Sequence, residues 1–456
     1  MSLADLVEAV RSGRSTARSI VDRAIAAASA QPFNAFTSID EGATEAADAV
    51  DAAVAAGRDP GPLAGVPVAL KDLIDQEGRP TTCGSSFLRT PALSSATVVG
   101  RIVAAGAVII GRTGLHEFAY GFSSENEWWG PVRNPWDPDT SPGGSSGGSA
   151  VSVAAGIVPL ALGTDTGGSV RVPAALCGCA GLKVTHGRVP LTGVFPLAPS
   201  LDTVGPIAGS TGDLAAGYLA MAGDDDADPW SVPKPLTAPR RAADLAGLTI
   251  GVPTPWTERR LDHTVAEGFT IAIDRLSAAG ARVVRVDSPE LDPRLLPRAS
   301  YAEIGAVHRK WFSEDPERYG PSIRERLSVD LAHSSDAITG AAAWRAGLRH
   351  AAARLFEDVD VLVTPTVAAL RKVIGEDTVE IDGESEPYRP ALSWFTTLVN
   401  QMGVPALALP ISVPGSPPPS LQVIAPWWEE ARLLEIGLAL EQAGVTGALP
   451  PVPRSW

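Results

Sequence analysis

The sequence predicts an α/β fold, with one large mixed β-sheet covered by helices on both faces. Short apolar runs bounded by turn residues recur along the chain, as buried strands do. Between them lie Ala- and Leu-rich stretches whose apolar residues recur at helical spacing. Strand signals also continue on both sides of the polar, Pro-rich stretch 223–242. That stretch could join two domains, but the continuity favours a surface loop within one sheet. At 456 residues, 45% hydrophobic and 20% charged, the chain is globular and long enough for two or three domains, although large α/β folds also run this long as one unit.

In chain order, residues 2–30 read as two helices, with Leu3, Leu6, Val7 and Val10 and then Ile20, Val21 and Ile25 on apolar faces. The Ala-rich stretch 43–56 is a third, stopped by Gly57 and Pro60. "GVPVALKD" (65–72) is a buried strand with a lysine at its end. A helix over 96–105 and the strand "AVIIGR" (107–112) complete a strand–helix–strand unit. "AVSVAAGIVPLALG" reads as helix then strand. "LTIGVP" (248–253), "ARVVRV" (281–286) and "DVLVTPT" (360–366) are further strands, near helical patterns at 264–279 and 342–356. Residues 254–350 supply mostly helical cover.

The net charge of −15 describes an acidic, solvated surface and no nucleic-acid footprint, which needs clustered Lys and Arg. The N-terminal stretch carries Asp5, Glu8 and Arg11 among its apolar residues. It therefore reads as an amphipathic helix and not as a signal peptide. The most apolar stretches fall short of the roughly 20 residues that span a bilayer. A cytoplasmic protein without a membrane partner is expected. Cys83, Cys177 and Cys179 cannot all pair and show no zinc spacing, so they are expected as buried thiols, with no metal site.

Two glycine-rich segments carry the chemistry. "SPGGSSGGSA" (141–150) runs directly into an apolar pattern, which ties it to a core and argues against a linker. It lacks the lysine of a phosphate loop. Its Gly-x-Ser-x-Gly matches around Ser145 and Ser146 lack the preceding strand of a nucleophile elbow. In "LGTDTGGSVRVPA" (162–174) a strand over Val158–Leu162 feeds Thr164, Asp165, Thr166, Gly167, Gly168 and Ser169. Two glycines before a serine let backbone N–H groups converge, as an oxyanion hole requires. Asp165 and Arg171 flank this loop and could brace it. A serine nucleophile needs a base, and neither loop holds a histidine. Lys71 is the better candidate, since burial would lower its pKa. The alternative is a surface pairing with Asp72 or Asp75.

"GVPVALKD", "SPGGSSGGSA", "GTDTGGSVRVPA", "CGCAGLKVTHGRVP" and "SLDTVGP" together resemble the amidase signature family in order and spacing, most closely over residues 60–210. The likeness continues more weakly through "DVLVTPT", "NQMGVPALALP" and "LQVIAP", so it implies a single amidase domain over 1–456. It also implies a Ser–cis-Ser–Lys triad: Ser169 as nucleophile, Ser145 as the bridging serine after a cis peptide bond, and Lys71 as base. Backbone N–H groups of Thr166, Gly167, Gly168 and Ser169 would form the oxyanion hole, supported by Asp165, Arg171 and Ser146. The implied reaction is hydrolysis of a small carboxamide or ureide through a serine acyl-enzyme, releasing ammonia or an amine, with no cofactor. "EFAYGFSSEN", "DGESEPYRPA" and "LQVIAPWWEE" are similar to the 1-carboxybiuret hydrolase type. The alternative is the glutaminase subunit of a glutamyl-tRNA(Gln) amidotransferase. In that protein an acid reads glutamine's amino group, and here Ser393 stands at the matching place. Ser420 replaces a family glycine and is expected to alter the pocket wall. The resemblance leaves a homodimer or a small accessory chain open.

Overall fold

The run at 65–72 becomes the strand Pro67–Lys71, buried at every residue. It lies parallel to both of its neighbours, Val108–Thr113 and Leu160–Thr164. These strands belong to a computed structural model that describes residues 2–411, 413 and 417–447. The far C-terminus of the expected single domain lies outside the described residues.

The sheet has eleven strands. In spatial order they are Phe36–Ile39, Val108–Thr113, Pro67–Lys71, Leu160–Thr164, Val204–Ala208, Ala180–Lys183, Ala406–Pro410, Ser420–Ile424, Val361–Pro365, Thr249–Thr254 and Arg282–Asp287. The sheet is mixed: Phe36–Ile39 pairs antiparallel with Val108–Thr113 at one edge, parallel pairs lie just inside it and at the opposite end, and the middle is antiparallel from Leu160–Thr164 across to Val361–Pro365. Strands from both halves of the chain therefore share one sheet, with Leu182 opposite Leu407.

Alternation of side chains across the strands divides the core in two. Val361 and Val363 join a cluster with Leu70, Leu162, Leu182 and Leu434, while Leu362 joins Leu176, Leu392, Phe395 and Leu398. Helices cover both clusters. The expected helices and strands are present within a few residues, including Leu3–Arg11, Ala17–Ala30, Ala43–Ala55, Thr97–Ala104 and His263–Ala278. The helical pattern at 342–356 is part of a longer helix, Ser335–Asp358. Residues 223–242 hold no helix or strand. The cover at 254–350 is helical except for the edge strand Arg282–Asp287 and short turns.

Ala180–Lys183, Val204–Ala208, Ala406–Pro410, Ser420–Ile424 and the two-stranded ribbon Thr378–Ile381/Glu384–Pro387 were not expected as strands. Cys83, Cys177 and Cys179 are buried. Among the described residues no helix is long and apolar enough to cross a membrane.

Candidate active site

Lys71 closes its strand facing the end of Leu160–Thr164, and its side chain is fully buried. Its Nζ donates to Ser145 Oγ at 2.7 Å and to Thr164 Oγ1 at 2.8 Å. The surface pairing with Asp72 is overturned, because Asp72 takes Arg112 Nε at 2.7 Å. Burial pushes the Lys71 pKa down to about 7, against the pull of Asp165 and Asp202. The ammonium of an exposed lysine would stay protonated at that pH.

Ser145 follows a cis peptide bond from Gly144. Its carbonyl accepts from His116 N at 3.3 Å and from Ser124 Oγ at 3.2 Å. The helix Gly147–Ala154 starts inside the first glycine segment, and glycine is needed there for close approach. A Cβ on Gly148 would lie 2.4 Å from Ala35 O and 2.6 Å from Gly114 N. Ser146 joins the two loops: its N–H donates to Ser169 O at 3.2 Å and its Oγ to Thr164 O at 3.2 Å.

The second loop turns around the Asp165 carboxylate. Its Oδ1 accepts from Gly168 N at 2.9 Å, Arg171 Nη2 at 2.9 Å and Asn400 Nδ2 at 2.8 Å. Its Oδ2 accepts from Val170 N at 3.1 Å and Arg171 Nε at 3.0 Å. Burial opposes the charge on Asp165, yet Arg171 and these donors hold its pKa below the usual carboxylate range. Arg171 continues the network to Gln422 Oε1 at 2.6 Å and Asn400 Oδ1 at 2.6 Å. Asp165 and Arg171 thus brace the loop from within. Thr166 Oγ1 donates to Asp202, whose pKa burial raises to about 6.

Gly168 corrects the expected donor set. Its N–H points inward to Asp165, so it is not available to a ligand in the cavity. Among the described residues, the N–H groups of Thr166, Gly167 and Ser169 meet no protein acceptor. Thr166, Gly167 and Ser169 line a cavity of about 590 Å³. Its walls come from Ala119–Phe122, from the helical cover through Arg298, Tyr301, Ile304 and Asp330, and from Arg389, Pro390, Ser393 and Thr397.

Sequence reading missed several of these groups. Thr164, the second partner of Lys71, sat in the quoted motif, but only the strand pairing shows its reach. Asn400 and Gln422 are more than two hundred residues from the loop they brace. Asp330 puts a carboxylate in the cavity wall, where it accepts from Tyr120 Oη at 2.6 Å. Ser420 does not line the cavity; its Oγ lies 2.8 Å from Thr366 Oγ1, which corrects the expected change to the wall. Among the described residues no cluster of three or more His, Cys, Asp or Glu side chains could hold a metal ion.

Comparison with known proteins gives the following likenesses. A family model described as Amidase matches residues 17–434. The chain is 37% identical to AtzE of Pseudomonas sp. (strain ADP), named as a 1-carboxybiuret hydrolase subunit, over 98% of this chain and 99% of that protein. It is 36% identical to a glutamyl-tRNA(Gln) amidotransferase subunit of Roseiflexus sp. (strain RS-1), over 97% and 96%. A solved structure described as "An unexpected vestigial protein complex reveals the evolutionary origins of an s-triazine catabolic enzyme" superposes with a TM-score of 0.93 at 36% identity, covering 98% of this chain and 100% of that one. A structure described as "Crystal structure of amidase" gives a TM-score of 0.88 at 34% identity, covering 97% and 99%.

Proposed function

The chain belongs to the amidase family and is an amide-hydrolysing enzyme, and we propose that it does this chemistry with Ser169, Ser145 and Lys71. In this reading Ser169 Oγ attacks the carbonyl carbon of a small carboxamide or ureide. Its proton passes to Ser145 Oγ as the Ser145 proton passes to the neutral Lys71 amine. The resulting ammonium then returns a proton through Ser145 to the leaving nitrogen as the C–N bond breaks. Ammonia or an amine departs, and water hydrolyses the acyl-enzyme by the same proton route.

The observation that carries the reading is the bond from Lys71 Nζ to Ser145 Oγ inside the protein, beside the loop that presents Ser169 to the cavity. A buried lysine with its pKa drawn to about 7 has an appreciable neutral fraction at physiological pH and can accept a proton. The N–H groups of Thr166, Gly167 and Ser169 supply donors for the oxyanion. Arg171 and Asp165 hold that loop in place.

The test is ammonia release by purified protein from a panel of small amides, ureides and glutamine. Turnover of a small amide or ureide supports the reading. Efficient glutaminase activity, or amidation of glutamyl-tRNA with partner subunits, would restore the amidotransferase reading instead. Two relatives are named as subunits. This supports a small accessory chain or a homodimer, which light scattering on the chain alone and with candidate partners would distinguish.

A further inference from the structure

The last strand of the sheet, Arg282–Asp287, has a single neighbour, Thr249–Thr254, and leaves its other edge unpaired. Arg282 N donates to Leu248 O and Ser288 N to Thr254 O. Successive residues of a strand turn their N–H and C=O groups to opposite sides. The even-numbered residues therefore face Thr249–Thr254, and Val283, Arg285 and Asp287 face outward. Among the described residues none of these three N–H groups meets a protein acceptor. Such a row of unpaired groups is a template for a further strand. Val283, Val284 and Val286 are half-buried, packed against the core, while Arg282, Arg285 and Asp287 are exposed. Among the described residues none of these three charged side chains has a hydrogen-bond or ion-pair partner.

The strand's own sequence, RVVRVD, singles out which strand fits. Two copies can join antiparallel about a two-fold axis normal to the sheet, each using the same patch. Residues directly opposite one another in such a pair share a face, and the face alternates at every residue. The axis must therefore pass through a pair of identical residues and not between neighbours. Three registers keep most of the strand paired. With the axis at Val284, Arg285 meets Val283 of the second copy and no charges pair. With the axis at Arg285, the two guanidinium groups stand opposite each other, which is destabilising. With the axis at Val286, Arg285 stands opposite Asp287 of the second copy, Asp287 stands opposite Arg285 of the second copy, and the two Val286 side chains meet between them. Arg285 and Asp287 are also residues whose backbone groups face outward. In this register each opposed pair thus exchanges both of its backbone hydrogen bonds.

We propose that Arg282–Asp287 is a self-association surface, through which two copies of this chain pair antiparallel with Arg285–Asp287 ion pairs on either side of a Val286 contact. One sheet then runs continuously across both copies. Residues 284–288 are few beside the roughly 20–30 a side of a stable interface, so the dimer forms reversibly, with a dissociation constant on the order of micromolar. The surface lies at the opposite end of the sheet from Pro67–Lys71, so dimer formation is separate from the chemistry at Ser169.

Sedimentation velocity on the purified chain, from about 1 to about 200 µM, reads the association directly. The wild type should pass from monomer to dimer within that range. Arg285→Asp and Asp287→Arg each set like charges opposite one another at both ends of the Val286 contact, and each should weaken dimerisation about 10-fold or more. The doubly substituted chain, Arg285→Asp with Asp287→Arg, exchanges the two signs and should return to within about 3-fold of wild type. Circular dichroism and melting near wild type check that the variants fold, since these exposed side chains give up no contact within the chain. Hydrogen exchange should protect the amides of Arg285 and Asp287 only at dimer-forming concentrations. A wild type that stays monomeric throughout overturns the proposal. So does a dimer that the single charge reversals leave unchanged, a double variant no tighter than the single ones, or concentration-dependent protection confined to another surface.

Discussion

Lys71 is where sequence position becomes chemistry, because a lysine at the inner end of a fully buried strand cannot hydrate its charge. Its pKa near 7 means that the neutral, proton-accepting form grows as pH rises through 7. Activity should therefore climb with pH along one limb centred near 7 and level off above it. The unfolded lysine holds its proton up to about 10.5, so between 7 and 10.5 the unfolded chain binds more protons than the folded one. This group therefore makes stability rise with pH across that window. Lys71→Arg should lose about 10²–10⁴ in kcat, since guanidinium stays charged, and Lys71→Ala should lose the limb as well. Lys183 is also drawn to about 7, but it bonds the carbonyls of Val184 and Val404, so a limb surviving in Lys71→Ala would point away from Lys71. Ser169→Ala should drop kcat by orders of magnitude while its circular dichroism and melting stay near wild type; near-normal turnover would remove Ser169 as nucleophile. Ser393 lines the cavity where a glutamine-reading acid would stand, and Asp330 is already engaged by Tyr120. Glutamine should accordingly be a poor substrate next to a small amide that carries no α-ammonium, as measured by ammonia release.

At the scale of elements, the glycine segments are sites where backbones and side chains crowd together. Gly148→Ala would force its Cβ against Ala35 O, and overpacking of this kind costs about 1–3 kcal/mol. Denaturant midpoints check this, and a loss under ~0.5 kcal/mol would mean that the helix start yields easily. Gly168 is at φ +133 with Thr396 Oγ1 only 2.2 Å from where a Cβ would sit, so Gly168→Ala should damage both stability and turnover. Asp165→Asn leaves Arg171 buried without its countercharge and should destabilise by about 3–5 kcal/mol. The glycine loops and Lys71 were legible in the sequence because their signals are local: spacing, a strand before a turn, a lysine ending an apolar run. Ala180–Lys183 and Val204–Ala208 were not, because "AGLK" and "VGPIA" are short and carry Gly or Pro, which read as turn residues. Arg389 and Tyr301 reach the cavity only through long-range packing, which no local pattern encodes. The inward turn of the Gly168 N–H was likewise hidden, since it depends on where the Asp165 carboxylate points.

Taken as a whole molecule, the chain ties its signature core to its C-terminal half at a fully buried ion pair. Arg171 spans from Asp165 to Gln422, a strand residue 251 positions away, and to Asn400. The same join recurs in the sheet, where Ala180–Lys183 pairs with Ala406–Pro410. The last two strands of the sheet, Thr249–Thr254 and Arg282–Asp287, also reach the sheet centre only through Val361–Pro365 and Ser420–Ile424. Residues 223–242 carry no strand or helix and look locally like a linker, yet cutting there would leave Arg171 buried beside Asp165 with its outer partners gone. We therefore expect the sheet and its helical cover to unfold as one cooperative unit. Near-UV dichroism, far-UV dichroism and calorimetry should report a single coincident transition. A fragment ending at residue 244 should fail to fold and to hydrolyse amides, although it contains Lys71, Ser145 and Ser169. Gln422→Leu should lower the melting temperature and impair turnover without touching the cavity, because it strips the Arg171 Nη1 of its acceptor at 2.6 Å. Two separable calorimetric transitions, or a folded and active N-terminal fragment, would divide the chain into domains and make the C-terminal contacts to Arg171 incidental to the site.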